Sequence, residues 1–292
     1  MTVADRPVWV DDELYPFESR FIDIDGHHIH HIDEGSGPTL LFLHGNPTWS
    51  FDYSQVISSL RNEFRCVAVD YPGFGLSHSA PGYRYLPAEH ALVVSRFVDA
   101  LELSEVTLVA HDWGGPIGLA AVQKRPEVFN RLVLTNTWAW PVSDPMIQVM
   151  SLVMGSPLGR LVIRQLNLFV NLMIPVGHRL TKPTAAQMAH YKHALDNPAR
   201  REGSAVFPRE ITSSRKFLAE VAAGLPDIAA LPTLIIWGDA DFAFGDKELR
   251  RWQQTFADPR TVVVEGAGHY VPSDAPEQFA AAIRDWHTSP RS

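Results

Sequence analysis

The sequence predicts an α/β fold: a mostly parallel central sheet with helices on both faces. Three observations predict it. Apolar runs without polar alternation recur at residues 39–43, 66–69, 106–110, 132–134, 233–237 and 261–264, the pattern of strands covered on both sides. Helix-length segments lie between them, at 54–60, 88–101, 116–123, 247–256 and 276–287, which gives strand–helix alternation. A chain of 292 residues with 46% apolar and 20% charged content is long enough to bury the core such a sheet requires.

In chain order, residues 20–26 and 28–33 alternate apolar and polar side chains, as half-exposed antiparallel strands do. The parallel-type runs follow. Their spacing breaks once, between Leu134 and Leu231, where nearly a hundred residues hold no strand of this kind. One crossover is not that long, so the segment has its own structure. It is Met-, Leu- and Pro-rich with helical periodicity, and residues 139–225 are expected to form a helical cap inserted after strand six. Residues 1–138 and 226–292 are expected to form the core domain.

The net charge of −8 argues against nucleic acid or an anionic membrane surface as partner. The one cysteine, Cys66, excludes an internal disulfide and sits inside a strand run, so it reads as a small core residue. The N-terminus lacks the apolar stretch of a signal peptide, and Arg160 and Arg164 interrupt the most lipid-like stretch, 146–176. No membrane span and a cytoplasmic location are expected. Part of that apolar stretch is a candidate for self-association. The cluster His27, His28, His30 and His31 looks metal-like, but it lies far from the catalytic turns, and no metal is expected there.

The chemistry lies in three turns at strand ends, where α/β sheets place their sites. Val109-Ala110-His111-Asp112-Trp113-Gly114-Gly115 has the strand–sharp turn–helix setting of a nucleophile elbow, with Ala110 and Gly114 as the small residues at −2 and +2. The second turn is Trp237-Gly238-Asp239-Ala240-Asp241, and the third is Gly266-Ala267-Gly268-His269-Tyr270. Nucleophile, acid, histidine is the chain order of α/β-hydrolases. Aspartate in place of serine at the elbow narrows the reaction. A carboxylate attacking a saturated carbon forms an ester that an activated water can cleave, whereas serine would form an inert ether. Asp112 is thus the candidate nucleophile, His269 the base for water and Asp241 the residue orienting it. The backbone N–H groups of Asn46 and Trp113 are candidate oxyanion donors. Their side chains, an amide NH₂ and an indole N–H, can hold a diffuse monatomic leaving anion without carrying charge. His111 is expected to play a structural part on the other side of its strand.

Each assignment has a plainer competitor. Asp112 could cap a helix, Asn46 could serve the turn before Pro47, and Trp113 could be core. Asp239 and Asp246 compete with Asp241. Trp138 and Trp140, together with Phe169, Phe207 and Pro208, are candidates for the pocket wall.

His44-Gly45-Asn46-Pro47-Thr48-Trp49-Ser50, His111-Asp112-Trp113-Gly114-Gly115-Pro116 and Gly266-Ala267-Gly268-His269 together resemble a haloalkane dehalogenase, over nearly the whole chain. The resemblance implies the α/β-hydrolase fold, Asp112 and His269 as nucleophile and base, and Asn46 and Trp113 as halide ligands. One branch of that family carries its acid just after strand six, where this chain has Asn136-Thr137-Trp138-Ala139-Trp140-Pro141 and no carboxylate. That departure favours Asp241 and resembles the third subfamily. It implies a halogenated hydrocarbon substrate, a halide product and no metal or organic cofactor. The alternatives are an epoxide hydrolase with the same triad or a catalytically silent binding protein. The expected cap holds only one tyrosine, Tyr191, which counts against the proton-donating pair that epoxide opening needs. A fluoroacetate dehalogenase is disfavoured, because Trp113 and Pro116 stand where that family shows arginines.

Overall fold

The computed structural model describes residues 6–288. Met1 to Asp5, part of the N-terminal segment read above for a signal peptide, lie outside the described residues. Eight strands form one sheet: β1 Arg20–Ile24, β2 His27–Glu34, β3 Thr39–Leu43, β4 Arg65–Val69, β5 Val106–Asp112, β6 Phe129–Thr137, β7 Thr233–Gly238 and β8 Arg260–Val264. Their order is β1-β2-β4-β3-β5-β6-β7-β8. β1, β2 and β4 pair antiparallel, and every later pairing is parallel. The mostly parallel α/β sheet expected from the apolar runs is the observed one, in the α/β-hydrolase form that the resemblance implied.

Helices cover both faces, because side chains of a buried strand alternate between two cores. Leu40 and Phe42 of β3 join one cluster, and Leu41 and Leu43 join the other. On the first face lie α1 Ser54–Leu60 and, from the C-terminal part of the chain, Val271–Asp274 and Pro276–Thr288. On the second lie α2 Pro87–Ala100, α3 Gly114–Lys124 and the helix Asp246–Thr255. Between β6 and β7 the chain forms α4 Pro145–Gly155, α5 Pro157–Leu166, α6 Ile174–Gly177, α7 Ala185–Ala194, α8 Glu202–Ser213 and α9 Arg215–Ala223. Asp144 caps α4 by accepting from the backbone N–H groups of Met146 and Ile147, and Ser156 caps α5. These caps satisfy helix donors that would otherwise have no partner.

Two expectations are corrected. β8 is an edge strand and is only partly covered, because no strand pairs with its outer side. β2 is not half-exposed: His27, His30 and His31 are buried, since β2 lies between β1 and β4. His30 Nδ1 lies 2.8 Å from the buried Asp70 Oδ2, and burial pushes the His31 imidazole down to about 4. Among the described residues no group of three or more His, Cys, Asp or Glu is arranged to hold a metal ion. Cys66 is buried in β4, and desolvation pushes its thiol up to about 12. Among the described residues no single helix is long and apolar enough to cross a membrane.

Candidate active site

β5 ends at Asp112, whose φ is +50°. That left-handed conformation is strained for aspartate and marks a backbone held by its surroundings. The turn closes only because its neighbours lack side chains. A Cβ on Gly114 would lie 2.3 Å from the Leu43 carbonyl oxygen, and one on Gly45 would lie 2.4 Å from Asp112 Cβ. The carboxyl group sits just before the N-terminus of α3, where unpaired N–H groups favour negative charge.

One carboxyl oxygen, Oδ1, accepts from the Asn46 backbone N–H at 2.8 Å. The Trp113 backbone N–H also donates to this carboxylate. The other oxygen, Oδ2, lies 3.9 Å from His269 Nε2. On the far side of the ring, His269 Nδ1 lies 3.0 Å from Asp241 Oδ2. The structure therefore brings Asp112, His269 and Asp241 together in a line. Asp239 instead accepts from the Gly266 N–H, and Asp246 sits exposed beside Arg250. Neither takes the place of Asp241 beside His269.

Asn136, noted above only as the absence of an acid, is in contact with that acid. Its Nδ2 donates to Asp241 Oδ2 at 2.8 Å and to the Gly238 carbonyl at 3.0 Å, and its Oδ1 accepts from the Gly238 N–H. The amide at the end of β6 thus fixes the carboxylate at the end of β7. Spacing in the sequence gives no sign of this contact across 105 residues.

Burial lowers the basicity of an imidazole, but at His269 the neighbouring Asp241, Asp112 and Asp52 carboxylates outweigh it and raise the pKa to about 9. Burial also pushes the Asp112 carboxyl up, against the pull of His269 and the two backbone N–H groups. An imidazolium between two carboxylates is the resting arrangement that this balance favours at neutral pH. His111 is closer to the machinery than its strand parity suggests. It is buried, and its Nε2–H donates to the His269 carbonyl at 2.9 Å.

A cavity of about 200 Å³ opens over Asp112. Asn46, Trp113 and His269 border it on the core side, and Ile147, Met150 and Met154 of α4 on the other. Of the wall candidates, Trp138, Phe169 and Pro208 line it. Phe207 does not: its ring packs 4.9 Å from Trp113 and 5.5 Å from Phe74, buttressing Trp113 from outside the lining. Trp140 does not either. The chain leaves β6 at Thr137, and the Trp140 ring packs 4.8 Å from Trp252 under the Arg251 guanidinium. Phe242, Phe244 and Tyr270 line the cavity and were not anticipated, although the alternation Asp241-Phe242-Ala243-Phe244 was visible. Tyr191 lies outside the lining, and its hydroxyl donates to Asp52.

Comparison with known proteins bears on the family and the fold. The α/β-hydrolase fold family matches residues 38–276. Haloalkane dehalogenase 2 of Mycobacterium tuberculosis is 44% identical over 277 residues, covering 94% of this chain and 96% of that protein. The chain belongs to the haloalkane dehalogenase family. Among solved haloalkane dehalogenases, a variant of DatA from Agrobacterium tumefaciens C58 superposes with a TM-score of 0.86 at 26% identity, covering 96% of this chain and 100% of that one. A cis-3-alkyl-4-alkyloxetan-2-one decarboxylase of Shewanella oneidensis is also similar, 31% identical over 95% of this chain and 90% of that protein. Haloalkane dehalogenases and that decarboxylase thus share this scaffold.

Proposed function

We propose that this protein is a hydrolytic haloalkane dehalogenase. It converts a halogenated hydrocarbon and water to an alcohol, a halide and a proton through a covalent alkyl-aspartate intermediate. The observation that carries the reading is the division of labour within one carboxylate. Asp112 borders the cavity, its Oδ1 held by the Asn46 N–H at 2.8 Å while Oδ2 lies 3.9 Å from His269 Nε2.

In the first step Asp112 Oδ2 displaces halide from the substrate carbon. The Asn46 amide and the Trp113 indole N–H hold the departing ion, their apolar surroundings strengthening each contact. Esterification removes the charge on Asp112, and with it one of the carboxylates that hold the His269 pKa high, so the imidazolium releases its proton to solvent. The imidazole can then take a proton from water. Hydroxide adds to Asp112 Cγ, and the oxyanion forms on Oδ1, where the Asn46 backbone N–H already lies and which the Trp113 N–H at the same carboxylate supports. Collapse breaks the bond between Cγ and the alkyl oxygen, which takes a proton from His269 and leaves as the alcohol, and Asp241, fixed by Asn136, stabilises the imidazolium until that transfer. Residues 139–225 act as the cap that excludes water from this cavity, over a core of 1–138 and 226–292. The buried, reduced Cys66 suits a cytoplasmic setting.

Among the described residues Tyr270 is the one tyrosine in the cavity lining, and a single phenol is not the donor pair that epoxide opening needs. Purified protein should release bromide from a short bromoalkane and leave an epoxide and an oxetan-2-one of matched length unchanged. In His269→Ala, intact-mass analysis should find one alkyl group added per chain. Absence of both bromide release and adduct across bromoalkanes would refute the assignment.

A further inference from the structure

The two helices above the cavity have an outer face that the reaction does not use. α4, Pro145–Gly155, has no charged residue, and only its Ser151 and Gly155 are buried. A helix apolar all round normally lies inside a protein or a membrane. Here Ile147, Met150 and Met154 border the cavity, while Met146, Val149, Leu152 and Val153 point outward, 81%, 59%, 65% and 62% exposed. α5, Pro157–Leu166, bends away at 70° and continues the surface with Leu158 and Leu161, 70% and 51% exposed. Neither helix is long enough to span a bilayer. Lying in the interface plane suits both.

Charge distinguishes the possible occupants. The chain as a whole carries −8, but the sign is split. Residues 139–225 hold ten Lys and Arg against five Asp and Glu, a net of +5. The rest of the chain holds fifteen against twenty-eight, a net of −13. The basic groups flank the apolar strip. Arg209 sits against Gly155 at the end of α4, and Arg215 shares a groove with Gln148 and Leu152. Both are exposed, and among the described residues neither makes an ion pair. Glu202 beside α5 is already paired with Arg160 and Arg164. A second copy seated on the strip would offer the same uncharged α4 face and no acidic partner from that helix.

We propose that the outer face of α4 and α5 docks on an anionic lipid surface, with Met146, Val149, Val153, Leu158 and Leu161 in the acyl boundary and Arg209 and Arg215 on the headgroups. Because the inner face of α4 lines the cavity, an apolar substrate dissolved in lipid would meet the enzyme at the cavity wall. That delivery rests on the proposed dehalogenation. The docking does not, so the halide assay and the vesicle assay fail independently.

The test is cosedimentation of the full chain with vesicles of phosphatidylcholine, alone or with about one-quarter phosphatidylglycerol. The wild type should pellet with the anionic vesicles and be released as salt rises from about 50 to about 500 mM. Val149→Asp/Val153→Asp should weaken binding by about tenfold or more, and so should Arg209→Glu/Arg215→Glu, which keeps the apolar strip. Both variants should release bromide from a water-soluble bromoalkane at wild-type rates. The proposal is overturned if the wild type stays in the supernatant with anionic vesicles, or if binding survives both double substitutions. A dimer in light scattering that Val149→Asp/Val153→Asp dissolves would give the strip to a second copy and also overturn it.

Discussion

Asn136 Nδ2 donates to Asp241 Oδ2 at 2.8 Å, the same oxygen that faces His269 Nδ1 at 3.0 Å. A side chain at the end of β6 therefore sets the rotamer of an acid supplied by β7. The amide cannot replace the carboxylate electrostatically, but it can restrict where the charge sits.

Asn136→Ala should slow the second half of the reaction more than the first. Losing a hydrogen bond to a buried carboxylate costs about 1.5–3 kcal/mol, so hydrolysis should fall by about tenfold to a hundredfold. Rapid-quench kinetics should then show alkyl-enzyme accumulating while the initial burst of bromide keeps its rate. An equal loss in both phases would mean that Asn136 supports only the fold.

Asn46→Ala and Trp113→Phe should each weaken halide binding. Each removes one donor to an anion in a largely apolar cavity, worth about 1.5–3 kcal/mol. The constant for bromide as a product inhibitor should rise by about tenfold or more in either variant. An unchanged constant in both would move the halide site elsewhere.

The pH dependence of stability has a definite sign. His269 titrates at about 9 in the folded chain, above the value of 6.5 for an unperturbed imidazole. Its contribution is therefore complete below pH 6.5 and is lost as pH rises through 9. Urea midpoints should decline over that window. They should decline less in Asp241→Asn, which removes the largest influence raising the pKa. A steeper decline in the variant would contradict the electrostatic picture of the triad.

The sheet and the three catalytic turns were legible because strand ends and small-residue turns leave local signatures, seen at Ala110-His111-Asp112-Trp113-Gly114 and Gly266-Ala267-Gly268-His269. Contacts between elements were not. Asn136 looked like a missing acid because nothing local indicates that it reaches Asp241. Trp138 and Trp140 share a parity, yet the chain turns after Thr137 and sends one into the cavity and the other onto Trp252. Phe207 is one residue from the cavity-lining Pro208, and the register of α8 places it behind Trp113. The histidines of β2 read as solvent-facing because imidazole is polar, but Asp70 gives the buried His30 a partner. The average charge concealed the opposite signs of the inserted helices and the remainder.

The most direct measurement is a single turnover of a bromoalkane in ¹⁸O-labelled water, followed by mass analysis of the peptide containing Asp112. Attack of water on Cγ, and not on the substrate carbon, gives unlabelled alcohol and one heavy oxygen in the Asp112 carboxyl. Labelled alcohol beside an unlabelled Asp112 peptide would mean that water displaces the halide directly, and the alkyl-aspartate would have no part in the reaction.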